Sequence, residues 1–85
     1  MNGHLRFPDY VRYVPGTKQL AEIVEVKNVS YLHKMDQITD GITFAEKNEI
    51  RYTIMIDSRT RVSGPLSEEM RKKGFEFSKK TLNLP

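Results

Sequence analysis

Eighty-five residues give room for one domain around one modest core, and a hydrophobic fraction of 38% with 29% charged residues is the balance of a small folded protein. The absence of cysteine excludes disulfides, thiolate nucleophiles and cysteine zinc sites. The formal charge of +3 is unevenly spread: from Arg59 onward seven basic residues (Arg59, Arg61, Arg71, Lys72, Lys73, Lys79 and Lys80) stand against three acidic ones (Glu68, Glu69 and Glu76). A basic C-terminal third points to a polyanionic partner, either nucleic acid or an acidic protein surface.

Met1 to Pro8 lack the apolar stretch of a secretory signal, and no run approaches the roughly 20 residues of a membrane span. The expectation is a cytoplasmic protein with no membrane contact, a single domain over residues 1–85. Its ordered core should run from about 7 to 77, with 78–85 as a tail.

Pro8 biases Phe7 toward extended backbone and opens the ordered part. Tyr10-Val11-Arg12-Tyr13-Val14 reads as a strand with apolar character on both faces, hence partly covered on each. Pro15-Gly16 follows as a type II turn, Pro fixing φ at the first central position and Gly supplying φ > 0 at the second. Leu20 to Lys27 carries a helical stripe (Leu20, Ile23, Val24, Lys27), but the turn before it and the pair Val24, Val26 favour a strand in hairpin with the first.

Asn28 breaks the segment, Val29 to Leu32 continue it, and from His33 to Glu49 no apolar period is apparent. Asp40-Gly41 reads as a turn within a long loop, and a loop of that length in so small a chain is expected to be functional or mobile. Ile50 to Asp57 alternates cleanly, with Ile50, Tyr52, Ile54 and Ile56 on one face and Arg51, Thr53, Met55 and Asp57 on the other. It is the central strand. Asp57-Ser58-Arg59-Thr60 then reads as a hairpin turn, with Arg61 to Ser63 returning beside the central strand.

Leu66 to Gly74 has acidic residues early, basic residues late and a terminal glycine, the signature of a short helix with Leu66 and Met70 toward the core. Either Ser63 or Ser67 caps it. Phe75-Glu76-Phe77 alternates as a last strand, and Leu82 and Leu84 in the tail are apolar enough to dock.

This order, strand, Pro-Gly turn, apolar strand, wandering loop, strand, turn, strand and late helical turn, resembles the small barrels of the KOW and Src-homology type over roughly residues 8–77. Ala21 stands where a KOW motif often has glycine. The resemblance implies a mainly β fold: a small antiparallel five-stranded SH3-like barrel with one short C-terminal helix.

The residue types supply little chemistry. His4 and His33 are far apart and without carboxylates at ligand spacing, so no metal site and no cofactor are expected. No Gly-x-Ser-x-Gly elbow and no phosphate loop is present, and Glu22 and Glu25, on a strand, point to opposite faces. The expectation is therefore a non-enzymatic binding module that takes nucleic acid or a nucleoprotein on Arg59, Arg61, Arg71, Lys72, Lys73, Lys79 and Lys80. The alternative is a protein-binding module or inhibitor, of the host-directed kind that small phage genomes encode, using Tyr31 and Met35 at the 31–49 loop. An exposed strand edge would also let two copies pair.

Overall fold

The first hairpin forms as its turn chemistry dictates. Strands β1 (Tyr10–Tyr13) and β2 (Leu20–Lys27) pair antiparallel across a turn in which Gly16 takes φ 76° and the Thr17 N–H donates to the Val14 carbonyl at 3.0 Å. The pairing is irregular at one point: Tyr13 faces Leu20 but Arg12 faces Glu22, so Ala21 is an extra residue in β2. The structure, a computed structural model, describes residues 8–82; Phe7, His4 and Leu84, to which the sequence assigns roles, lie outside them.

Beyond β2 the chain departs from a barrel. A two-residue strand β3 (Tyr31–Leu32) leads into helix α1 (Asp36–Asn48), where a loop with an Asp40-Gly41 turn is expected from the sequence. The helix buries Ile38, Gly41, Ile42 and Ala45, an i, i+3, i+4, i+7 stripe whose second member is a glycine. Gly41 sits there because the Tyr52 ring crosses it; a Cβ at Gly41 would stand 2.6 Å from the Tyr52 hydroxyl.

α1 carries the chain back along the sheet, so strand β4 (Arg51–Asp57) enters parallel to β2, with Glu25 beside Ile54 and Lys27 beside Ile56. Strand β5 (Arg61–Val62) then pairs parallel with β3, not antiparallel with the central strand. Helix α2 (Gly64–Lys73) is capped by Ser63, whose Oγ accepts from the Leu66 N–H at 3.3 Å, and ends at Gly74 in the left-handed region. Its first turn holds no acidic residue, because it starts earlier than the charge pattern suggests. Strand β6 (Glu76–Lys80) completes a four-stranded mixed sheet of order β1-β2-β4-β6, taking in residues expected to be tail.

The fold is thus α+β, with six strands and two helices among the described residues, and the five-stranded antiparallel barrel is wrong. The physical reason is α1: a helical crossover makes its flanking strands parallel, and the sheet stays open with β1 and β6 at its edges. β1 is exposed at all four residues, rather than partly covered.

Both helices lie on one face. Ile23, Tyr52, Ile54 and Ile56 meet Ile38, Ile42, Ala45, Leu66 and Met70 in one buried cluster, with Phe75 and Phe77 packed against it. Lys73 of α2 pairs with Glu46 of α1 at 2.6 Å. The opposite face carries a polar ladder, in which Glu22 accepts from Arg12 at 3.1 Å and from the Thr53 hydroxyl at 2.7 Å, and Arg51 reaches Glu76 at 3.5 Å. No helix among the described residues is long and apolar enough to cross a membrane.

Candidate active site

The parallel strands β2, β4 and β6 end together, and chemistry-bearing groups collect at their carboxyl ends. Strand alternation puts Glu25 and Lys27 on the helix face of β2, and the first turn of α1 places Gln37 above them. Lys27 Nζ donates to Gln37 Oε1 at 2.7 Å, and Gln37 Nε2 donates to Glu25 Oε1 at 3.3 Å. One amide therefore fixes an ammonium and a carboxylate relative to each other.

The second carboxylate comes from the neighbouring strand. Asp9 immediately precedes β1, whose first residue Tyr10 pairs with Val24, so it stands beside Glu25 and Val26 at the end of β2. Asp9 Oδ2 accepts the Val26 N–H at 2.7 Å, a side chain taking the place of a ladder bond. Glu25 is only 1% exposed. Burial pushes its pKa above the ordinary carboxylate value, Lys27 opposes that rise, and the Asp9 charge adds to it.

Beneath this group lies Tyr52, buried between Gly41 and the edge of the Phe75 ring, with ring centroids 5.8 Å apart. Its hydroxyl has no hydrogen-bond partner, and burial, with Glu25 nearby, raises its pKa far above the ordinary phenol value. A recess of about 230 Å³ lined by Gln19, Leu20, Phe44, Asn48 and Ile50 lies at the other end of the strands and holds no ionisable side chain.

Two hard oxygen donors, Asp9 and Glu25, suit a divalent cation of the magnesium kind, which is commonly held by one or two carboxylates together with phosphate oxygens of the substrate. Burial chiefly raises the Glu25 pKa and the Asp9 charge adds to it, and a cation held by the two carboxylates would favour the charged form of Glu25. No cluster of three or more His, Asp or Glu side chains is placed to hold a metal among the described residues, so a closed zinc-type cage does not fit.

The structure divides the basic residues expected to bind nucleic acid. Arg59 and Arg61 follow the end of β4, and Lys79 and Lys80 end β6, with Lys27, Ile56 and Lys79 forming one row across the sheet. These four share the end of the sheet that holds Glu25 and Lys27. Arg71, Lys72 and Lys73 end α2, which runs back to the opposite end; there Arg71 pairs with Glu68 and Lys73 with Glu46. Arg59 is itself occupied, donating to Asp57 at 2.9 Å through Nε. Tyr31 is exposed, whereas Met35 is half-buried against the core at the start of α1.

Sequence reasoning misses Asp9, Lys27 and Gln37, and sets Glu25 aside because its sequence neighbour Glu22 points the other way. That geometry is correct, since Glu22 bonds Thr53 and Arg12 on the far face. The signal was Glu25-Val26-Lys27, an acid and an ammonium two apart on one face of a strand whose hairpin partner begins with Asp9.

No curated protein and no solved structure matches the chain. Residues 2–66 match the family described as restriction endonuclease fold toxin 7, a span that contains Asp9, Glu25, Lys27, Gln37 and every strand except β6. The match overturns the KOW and Src-homology resemblance, and with it the non-enzymatic binding module; the chain belongs to the restriction endonuclease fold toxin 7 family.

Proposed function

We propose that the chain is a nuclease-type toxin domain that hydrolyses phosphodiester bonds in nucleic acid at the carboxyl end of β2. The observation that carries this reading is the group Asp9, Glu25, Lys27 and Gln37, tied together within the span that matches the family.

Asp9 and Glu25 would hold a divalent cation, which when bound supplies positive charge at a phosphoryl oxygen. The Lys27 ammonium would meet the negative charge that builds on the phosphate in the transition state, and a cation held in a partly dry site stabilises that charge more than water does. Gln37 keeps Lys27 from collapsing onto Glu25 by bonding both. The Val26 N–H anchors Asp9, so that carboxylate is set by backbone, while Glu25 is set by the Gln37 amide. Arg59, Arg61, Lys79 and Lys80 at the same end supply a field that attracts the polyanion. Without cysteine the domain needs no oxidising compartment, and we assign its action to the cytoplasm.

The test is cleavage of plasmid, linear duplex, single-stranded DNA and RNA by the full chain with magnesium or manganese, with and without a chelator. Native chain should cut at least one substrate, and Lys27→Met and Glu25→Gln should each lose about 100-fold or more. A native chain that cuts none of them, or cutting that survives both substitutions, would sink the proposal.

A further inference from the structure

The ribbon β3–β5 follows the carboxyl ends of β2 and β4, and its alternation is fixed by what it buries. Leu32 is in the core and its register partner Val62 packs against it. Tyr31 and Arg61, the other pair of the same parallel ribbon, therefore project outward side by side. Tyr31 is 55% exposed, and Arg61 is exposed as well.

The ribbon is held rigidly. The Arg61 N–H donates to the Ser30 carbonyl and the Ser63 N–H to the Leu32 carbonyl, both at 2.9 Å. The buried Thr60 hydroxyl donates to the Val29 carbonyl at 2.6 Å. Tyr31 lies four positions after Lys27, a backbone path of at most about 14 Å. An exposed aromatic ring on this hydrogen-bonded backbone, beside a guanidinium and within one or two nucleotides' reach of the reacting group, offers a base a surface to stack on. Burying Tyr31 would stabilise the domain, and its exposure leaves the ring face open.

We infer that Tyr31 and Arg61 form a binding platform for an unpaired nucleotide, Tyr31 stacking on the base and Arg61 meeting the adjoining phosphate, so that the preferred substrate is single-stranded nucleic acid. A base inside a duplex presents no free face to the ring, whereas an unpaired base does. The inference rests on the reading of Asp9, Glu25 and Lys27 as the reacting group, which fixes where the strand must pass.

The test is a fluorescence anisotropy titration of the full chain with a labelled single strand and with the duplex of the same sequence, in a chelator so that nothing is cut. The single strand should bind more tightly. Tyr31→Ala should weaken single-strand binding by about tenfold and leave duplex binding unchanged, with Tyr31→Phe restoring it. Arg61→Ala should weaken both and lower the salt dependence by about one charge. Tyr31→Ala binding like native chain, equal losses on single strand and duplex, or no nucleic-acid binding at all would overturn the platform, the last leaving this ribbon as a protein contact. Tyr31-dependent single-strand binding by a chain that cuts nothing would sink the hydrolytic reading alone.

Discussion

Asp9 comes beside Glu25 and Val26 because β2 carries one residue more than β1 in their shared hairpin. Tyr13 pairs with Leu20 and Arg12 with Glu22, so Ala21 is passed over and every pair beyond it is shifted by one. Counted from the turn without that shift, Tyr10 would meet Ile23 and Asp9 would lie one residue further from Glu25 and Val26. A single bulge thus decides whether the two carboxylates share a site.

Asp9→Asn separates the charge of this carboxylate from its tether. The amide oxygen still accepts the Val26 N–H, so the hairpin should persist with its denaturation midpoint little changed. Cleavage should fall by about 100-fold, and the Glu25 pKa, followed by carbon NMR of its carboxyl group, should drop once the Asp9 charge no longer raises it. Native-like cleavage by this variant would remove Asp9 from the site.

Glu25 gives the site a stability signature. Its pKa in the folded chain is raised above 4.5, so the folded form is favoured by this group below that pH and loses the advantage as pH rises through the higher folded value. Glu25→Gln should therefore melt at a higher temperature than native chain at neutral pH, with the difference closing below about 4.5. Magnesium should raise the native melting temperature and leave that of Glu25→Gln nearly unmoved, since only a chain that binds the ion gains from it. Identical melting in the two chains at neutral pH would mean that Glu25 carries no such penalty.

Gly41 and Tyr52 should be energetically coupled. Alanine in a helix interior ordinarily gains up to about 1 kcal/mol over glycine. Here the new Cβ overlaps the Tyr52 ring and hydroxyl, and Gly41→Ala should cost about 1–3 kcal/mol instead. Tyr52→Phe removes a buried hydroxyl that has no partner, so it should be neutral or stabilising by about 1 kcal/mol and should reduce the cost of Gly41→Ala. Urea denaturation of the four chains of this cycle measures the coupling, and strictly additive effects would contradict the contact.

Asp57 ties the end of β4 to the end of the described chain. Its carboxylate accepts from Arg59 Nε at 2.9 Å, from the Arg59 N–H at 2.8 Å and from the Leu82 N–H at 2.7 Å. The Arg59 side chain first, then the two backbone N–H groups, hold its pKa down to about 2 against the opposing effect of burial. A lowered folded value means that the stabilisation is complete above the ordinary 3.8 and is lost as pH falls through about 2. Asp57→Asn should be less stable than native chain at neutral pH, with the gap narrowing toward pH 2 in parallel denaturation series.

The elements legible in the sequence are those whose signals are local. The Pro15-Gly16 turn, the strand at Ile50 to Asp57 and the Gly74 stop of α2 each depend on a few adjacent residues and form where the sequence puts them, while of the two candidate caps, Ser63 and Ser67, the structure uses Ser63. α1 is different. Its start at Met35 has no side-chain cap, its end falls on Glu49 with φ 56° rather than on glycine, and Gly41 interrupts the apolar stripe because a ring from another strand completes the packing. That single helix decides the topology: with it β2 and β4 are parallel, and without it the same strands read as hairpins of a barrel.

The candidate site follows the same division. Sequence by itself determined that Glu25 and Lys27 share a strand face and that Glu22 does not join them. Only the tertiary structure decided that Asp9 stands beside Glu25 and Val26, because a bulge at Ala21 is a matter of register that residue types do not announce. Only it brought Gln37 over Lys27 from a helix, and sent Arg71, Lys72 and Lys73 to the far end of the sheet while leaving Arg59, Arg61, Lys79 and Lys80 at the end that holds the carboxylates. Charge along a chain adds by position in sequence, but the field at a site adds by position in space, and the path of the backbone converts one into the other.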